Sequence, residues 1–422
     1  MSTPGPRSAP AGADPAPAAP PRTDRAAPDG AVRPPDGERP LRIGLVSDCY
    51  VPRLGGIELQ VHDLARQLRA IGHEVVVITP SPGPDEVDGV PVRRVAAPML
   101  PFDIPFSPRT FRRIADLLGE EGVDVAHFNG GVLSPVAFIG AGMAQHRGIP
   151  TVITAHCLWS YASPAFRAAD WVAHWTQWPV VFSAVSDVAA APIHRIARRG
   201  VRVAILPNGI DNDAWHVDPE PRDPDVVTLV AVMRLAPRKR PGHLVKMIDR
   251  VRQQAPPGTA VRAVIIGDGP ERPTIEKMIA ERDLGGVVRL TGRLGREEIR
   301  REFARADVFV APANLESFGI AALEARCAGL PVVAKARTGI REFVAHGHEG
   351  LLAESDADLV AQMVRLVRDP VLRQRMAEHN RTTPSPVDWS RVVHLNVAAY
   401  RDAVRLMARH GAASDRPAPG LN

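Results

Sequence analysis

The chain is poor in cysteine, in aromatic residues and in long apolar runs, and each shortage removes a class of protein. Three cysteines, Cys49, Cys157 and Cys327, are scattered over 422 residues, each near an apolar stretch. That spacing builds neither a disulfide framework nor a thiolate metal site, and it fits the reduced thiols of a cytosolic protein. Aromatic residues make up 5%, too few for a stacking groove that binds single strands. No apolar run reaches the roughly 18–20 residues that a membrane-crossing helix needs, and no apolar secretory core opens the chain. The arginines never gather into one long block. The net charge of +5 suits anionic substrates or an anionic surface and makes no case for nucleic acid.

What is present is a 45% apolar chain, long enough for two domains of ordinary size. Residues 1–40 hold 11 of the 42 prolines and no aromatic residue. They cannot bury enough apolar surface to offset their ordering entropy and are expected to be a disordered tail. The fold should begin at LRIGLVSDC (41–49), a buried strand, followed by a helix through 59–72 and a second strand, HEVVVITP (73–80). Strand, helix and strand with short joints form a βαβ unit, hence a parallel sheet with right-handed crossovers. Further α/β units run to 210. A second series occupies 211–387, one long helix 388–410, and a frayed tail 411–422.

One stretch concentrates the chemistry. Glu316-Ser-Phe-Gly-Ile-Ala-Ala-Leu-Glu324 lies between a valine-rich strand, 306–313, and a short helix ended by Gly329. Eight helical steps would separate the two carboxylates by about 12 Å, the span of a sugar diphosphate joined to a ribose. The Ser317–Gly319 turn presents a helix N-terminus, whose free N–H groups suit phosphate. Taken alone, the commoner reading is a cap and a solvated helix face. Gly55 and Gly56 follow the first strand's carboxyl end, where open α/β sheets bind ligands and a bare backbone can approach closely. The stretch 99–122 carries Arg109, Arg112 and Arg113 beside apolar residues. It would suit an anionic membrane surface, but a core-facing helix with a basic outer face is the more frequent use of such a pattern. Four of the six tryptophans fall within 159–178, as an acceptor wall or as core. Asp-X-Asp triplets at 211–213, 223–225 and 356–358 read as turn or cap residues, not metal ligands.

At this point the chain resembles the retaining glycosyltransferases of family 4, with the two-domain GT-B architecture, over roughly residues 41–405. The motifs are GGIE (55–58), TAH (154–156), SAVSD (183–187), LPNGID (206–211), RLAPRK (234–239), IGDGPER (266–272), ESFGIAALEA (316–325) and TGIREFV (338–344). The glutamate motif and the basic stretch are also similar to those of phosphatidylinositol mannosyltransferases. The resemblance implies two Rossmann-like domains facing a cleft, with the last helix crossing back to the first. It implies that Glu316 holds donor-sugar hydroxyls, Glu324 the ribose, and Arg234 and Lys239 the diphosphate. Ser317, Phe318, Gly319 and Ile320 would complete the donor site, Gly55 and Gly56 would close on phosphates or acceptor, His156 would sit near the donor sugar, and Asn208 and Gly209 would form the hinge. Two positions depart from the family: Met233 stands where glycine is usual, and Asn129 where a histidine is frequent.

The implied reaction is hexosyl transfer from a nucleotide sugar, GDP-mannose or a UDP-sugar, to an alcohol acceptor with retained configuration. The acceptor could be a glycan, a lipid headgroup or a metabolite. No cofactor and no metal are expected, because fixed cations can stabilise the departing diphosphate. The expected location is cytoplasmic, with peripheral contact to an anionic membrane as an option. The alternatives are a nucleotide-sugar epimerase of related fold and a catalytically silent nucleotide-sugar-binding protein.

Overall fold

The computed structural model describes residues 39–414, apart from 54, 101–103, 133, 160–161 and 198–200. Of the expected tails 1–40 and 411–422, residues 1–38 and 415–422 lie outside the described residues. The strands are β1 (Arg42–Ser47), β2 (Glu74–Thr79), β3 (Glu86–Val87), β4 (Val90–Arg94), β5 (Met99–Leu100), β6 (Ile104–Pro105), β7 (Val125–Gly130), β8 (Thr151–Ala155), β9 (Val180–Ala184) and β10 (Val203–Ile205) in the first half. The second half holds β11 (Val226–Val232), β12 (Ala260–Ile266), β13 (Val288–Gly292), β14 (Val308–Ala311), β15 (Val332–Lys335) and β16 (Gly350–Ala353).

The first sheet runs β10-β9-β8-β7-β1-β2-β4-β3, parallel except for the β3–β4 edge. The second runs β13-β12-β11-β14-β15-β16 and is parallel throughout. Helices cover both faces of such sheets, so central strands read as unbroken apolar runs. In β1 there is no alternation of apolar and polar residues: Ile43, Leu45 and Val46 are all buried. In both sheets the chain winds outward from one central pair of strands and then returns to wind the other way. The reversal falls between β1 and β7 in the first and between β11 and β14 in the second, and such a reversal opens a crevice at the strands' carboxyl ends.

The basic stretch folds as the helix Pro108–Glu120. Phe111, Ile114, Ala115 and Leu118 are buried, while Arg109, Arg112 and Arg113 point to solvent, the one-sided pattern of a core-facing helix. The tryptophan-rich stretch divides. Trp159 and Trp175 are buried and pack with Phe166 and Phe138, whereas Trp171 is 79% exposed on the helix Ser163–Ala173. Two of the four tryptophans are therefore core, and the stretch is not a continuous wall.

The chain passes between the halves twice, side by side. Ile210 N–H donates to Val387 O at 3.1 Å and Trp389 N–H to Ile210 O at 3.0 Å. The final helix, Trp389–Ser414, runs four residues further than expected, so 411–414 are helical. It packs on β7, β8 and β9, and Tyr400, fully buried, meets His127 of β7 at 2.9 Å. At Gly209 a Cβ would lie 2.3 Å from the Trp389 indole, so only glycine fits beneath that ring.

Gly209→Ala should therefore destabilise the protein by about 1–3 kcal/mol through overpacking. Gly285→Ala, where an added Cβ meets nothing within 4 Å, should stay within about 0.5 kcal/mol of the parent. Paired urea-unfolding curves check both; equal midpoints would contradict the packing argument.

Candidate active site

A cleft of about 480 Å³ opens where the two strand reversals face each other. From the second half it takes the loop after β11, with Met233, Arg234, Arg238 and Lys239, and the loop after β14, with Glu316 to Ile320. From the first half it takes Gly56, Glu58, His156 and Cys157. The loops lie here because each leaves the carboxyl end of a buried strand.

Glu316 stands in the loop and accepts from Lys239 Nζ at 2.5 Å. Both side chains are partly shielded, so the pair is stronger than a fully solvated one and still open to exchange. Arg234 and Arg238 are exposed on the same rim. Behind Glu316 the chain turns at Gly319, whose φ of +94° favours glycine and whose Cβ would crowd Ile340 at 2.5 Å. The helix Ile320–Cys327 begins immediately after it, with its first N–H groups toward the cleft.

His156 follows β8. Its backbone N–H donates to Gly130 O at 2.9 Å, and its Nε2 faces Asn129 Oδ1 at 2.9 Å. Burial pushes its pKa down to about 4, against a smaller opposing pull from Asn208, so the ring is neutral near pH 7. Burial also raises the Cys157 thiol, which stays protonated beside Arg238. Under the cleft floor, His127 Nε2 meets Thr154 Oγ1 at 2.6 Å, and Thr154 meets Ser183 Oγ at 2.6 Å. The TAH and SAVSD motifs thus share one polar chain with Tyr400.

The halves also touch directly. Ser317 Oγ–H donates to His156 O at 2.6 Å, and Ser186 Oγ–H donates to Ser317 O at 2.5 Å. Arg296 reaches Asp63 at 3.0 Å, and Asp187 N–H donates to Glu342 Oε1 at 2.8 Å.

Of the residues singled out from sequence, His156, Arg234, Lys239, Gly56, Glu316, Ser317, Phe318, Gly319 and Ile320 line this one cleft. Two do not. Gly55 sits behind it, where a Cβ would strike the Glu58 carboxylate at 2.3 Å; its lack of a side chain makes room for Glu58. Glu324, one helical turn beyond Ile320, lines an adjoining hollow of about 280 Å³ with Gln60, Asp63 and Arg296, and Ile320 forms part of both walls. Asn129 is likewise absent from the cleft lining and stands behind His156. Met233 does line the cleft, half-buried against the second core. Glu58 and Arg238 line it too, and sequence reasoning does not single them out, although GGIE and RLAPRK contain them; acidic and basic neighbours of a chosen residue are the available signal. Asp211 caps the helix Asn212–Trp215 by accepting from Ala214 N–H, Asp223 accepts from Asp225 N–H, and Asp356 pairs with Arg240 and Lys335. Among the described residues no helix is long and apolar enough to cross a membrane.

Two family models match the chain one after the other: Glycosyltransferase Family 4 over residues 54–214 and Glycosyl transferases group 1 over 215–383. The GDP-mannose-dependent alpha-mannosyltransferase of Mycobacterium tuberculosis is 30% identical, over 86% of this chain and 97% of its own. The alpha-monoglucosyldiacylglycerol synthase of Acholeplasma laidlawii is 24% identical, over 82% and 93%. The crystal structure of Anabaena HepE, solved in complex with UDP and glucose, superposes with a TM-score of 0.64 at 18% identity, covering 89% of this chain and 99% of that one. Its likeness places the two-sheet architecture among GT-B folds.

Burial holds the Glu324 carboxyl up to about 8, with Asp63 adding to the rise and Arg296 opposing it. The folded state therefore binds this proton between the ordinary carboxyl range and pH 8 while the unfolded chain releases it, so stability falls as pH rises through that window. Glu324→Gln should flatten the decline between pH 5 and 8, as read from melting temperatures across pH; an unchanged slope would refute the assignment.

Proposed function

Since this chain belongs to glycosyltransferase family 4, we propose that it transfers a hexosyl group, mannose from GDP-mannose as the first donor to assay, to an alcohol acceptor with retention of configuration. The observation that carries the reading is the gathering of Glu316, Lys239, Arg234 and His156 around one cleft between two strand reversals. The mycobacterial relative's name supports this choice of donor. A lipid headgroup is the first acceptor to assay, since the Acholeplasma relative is named for a diacylglycerol product.

In this reading the donor diphosphate draws Lys239 away from Glu316 and lies against Arg234, Arg238 and the N-terminus of the helix Ile320–Cys327. The freed Glu316 carboxylate accepts from sugar hydroxyls. As the bond between C1 and the phosphate oxygen breaks, charge builds on that oxygen, and the fixed cations stabilise it more in the transition state than in the ground state. The acceptor oxygen attacks C1 from the face the phosphate leaves, and its proton passes to the departing phosphate oxygen. No protein nucleophile is needed in this reading: the freed Glu316 is engaged by sugar hydroxyls, and Glu58 is paired with Arg53 at 3.4 Å. Glu324, next along the helix, is our candidate for the ribose hydroxyls. The same cations let the reaction run without a metal ion, so EDTA should leave the rate unchanged.

The test joins binding to turnover. A thermal-shift panel with GDP, UDP and ADP should raise the melting temperature for one base, a gain of about 2.7 kcal/mol at a hundredfold over Kd. Glu316→Gln should lower transfer by at least about a hundredfold with the melting temperature of the free protein held. Turnover at the parent rate in that variant would sink the role of Glu316.

A further inference from the structure

We propose that Asn129 is a positioning residue that fixes the tautomer of His156, keeping the proton on Nε2 so that Nδ1 turns a lone pair toward a hydroxyl of the transferred sugar. The identity of that hydroxyl rests on the transferase reading; the tautomer does not.

The argument begins with the strands. Asn129 of β7 stands in register with Thr154 of β8, and His156 lies just beyond the end of β8. The hydrogen bond from His156 N–H to Gly130 O continues that pairing and brings the imidazole over Asn129. Asn129 is 2% exposed, so its amide has no water to compensate a wrong orientation.

That orientation is settled by its other partner. The amide nitrogen lies 3.3 Å from His127 O. A backbone carbonyl only accepts, so Nδ2 must face it. Oδ1 is then the atom at 2.9 Å from His156 Nε2, and an amide oxygen also only accepts. Nε2 must therefore carry hydrogen. The ring is neutral by burial and holds one proton, so Nδ1 is left with its lone pair.

An asparagine makes this choice where a second imidazole would not. An imidazole can donate or accept from either nitrogen, whereas an amide anchored to a carbonyl has one fixed acceptor. The consequence for the chemistry is a matter of sign. A lone pair directed at the sugar favours the positive charge that develops at C1, while an imidazolium would oppose it. The charged groups around the cleft are Arg234, Arg238, Lys239, Glu58 and Glu316, with His127, itself lowered to about 3 by burial, behind the ring.

The tautomer is read directly from long-range 15N–1H spectra of histidine-labelled protein at pH 8, with His156→Gln assigning the ring. The expected pattern is a protonated Nε2 and a lone-pair Nδ1. Asn129→Asp, whose carboxylate also only accepts, should keep it; Asn129→Leu should give a mixture or a protonated Nδ1. A protonated Nδ1 in the parent would overturn the proposal, and so would an unchanged pattern in Asn129→Leu, which would pass the role to Asn208. In donor turnover, Asn129→Leu should lose about tenfold to a hundredfold in kcat, with the donor KM changed less than about threefold and Asn129→Asp recovering much of the rate at pH 8. Equal kcat in Asn129→Leu and parent would also overturn it. If the parent turns over no nucleotide sugar, the transferase reading fails, and the spectra still decide the tautomer.

Discussion

Two hydrogen bonds through Ser317 hold the functional edges of the two sheets together. Its hydroxyl donates to the carbonyl of His156, and its own carbonyl accepts from Ser186. Ser186 and His156 both lie just beyond carboxyl ends of first-sheet strands, and Ser317 follows Glu316 without a gap. The separation of Glu316 from His156 is thus set by two short hydroxyl-to-carbonyl contacts, which leave little slack. Apolar packing supports the same junction, since Phe318, Leu323 and Ile340 of the second half join the core of the first. The polar contacts set direction and the apolar ones supply most of the cohesion.

Charge in the cleft is arranged by two devices. Burial keeps His156 and Cys157 neutral, and an ion pair sets the Glu316 carboxylate against Lys239. The neutral groups come from the first half, and the cations come from one short loop after β11. A ligand with concentrated negative charge is therefore drawn to one wall only, that of Arg234, Arg238 and Lys239.

Much of this arrangement is legible in the sequence. Valine-rich runs ending in glycine turns point to both parallel sheets, because buried parallel strands cannot alternate. Arg109, Arg112 and Arg113 at helical spacing mark the outer face of their helix. The glutamate motif places Glu316 on the loop and Glu324 on the helix. What stays hidden depends on contacts distant in sequence. Gly55 is the local exception, an open-loop glycine in pattern until Glu58, three residues on, folds back beneath it. Asn129 looks like a cleft residue until β8 sets His156 in front of it. Trp159 and Trp175 cannot be told from the exposed Trp171 by composition. The Lys239–Glu316 pair joins residues 77 apart, and local pattern carries no sign of it.

The helix Trp389–Ser414 also constrains how the chain is made. It covers β7, β8 and β9, and its Tyr400 meets a histidine 273 residues earlier. The first sheet is encoded by the time β10 has been synthesised, yet the surface that covers it is encoded nearly last. At roughly 5–20 residues per second the first half waits on the order of 10–40 s for that cover. During that interval the second half can complete its own sheet on the ribosome, so vectorial synthesis favours closing the younger half before the older one.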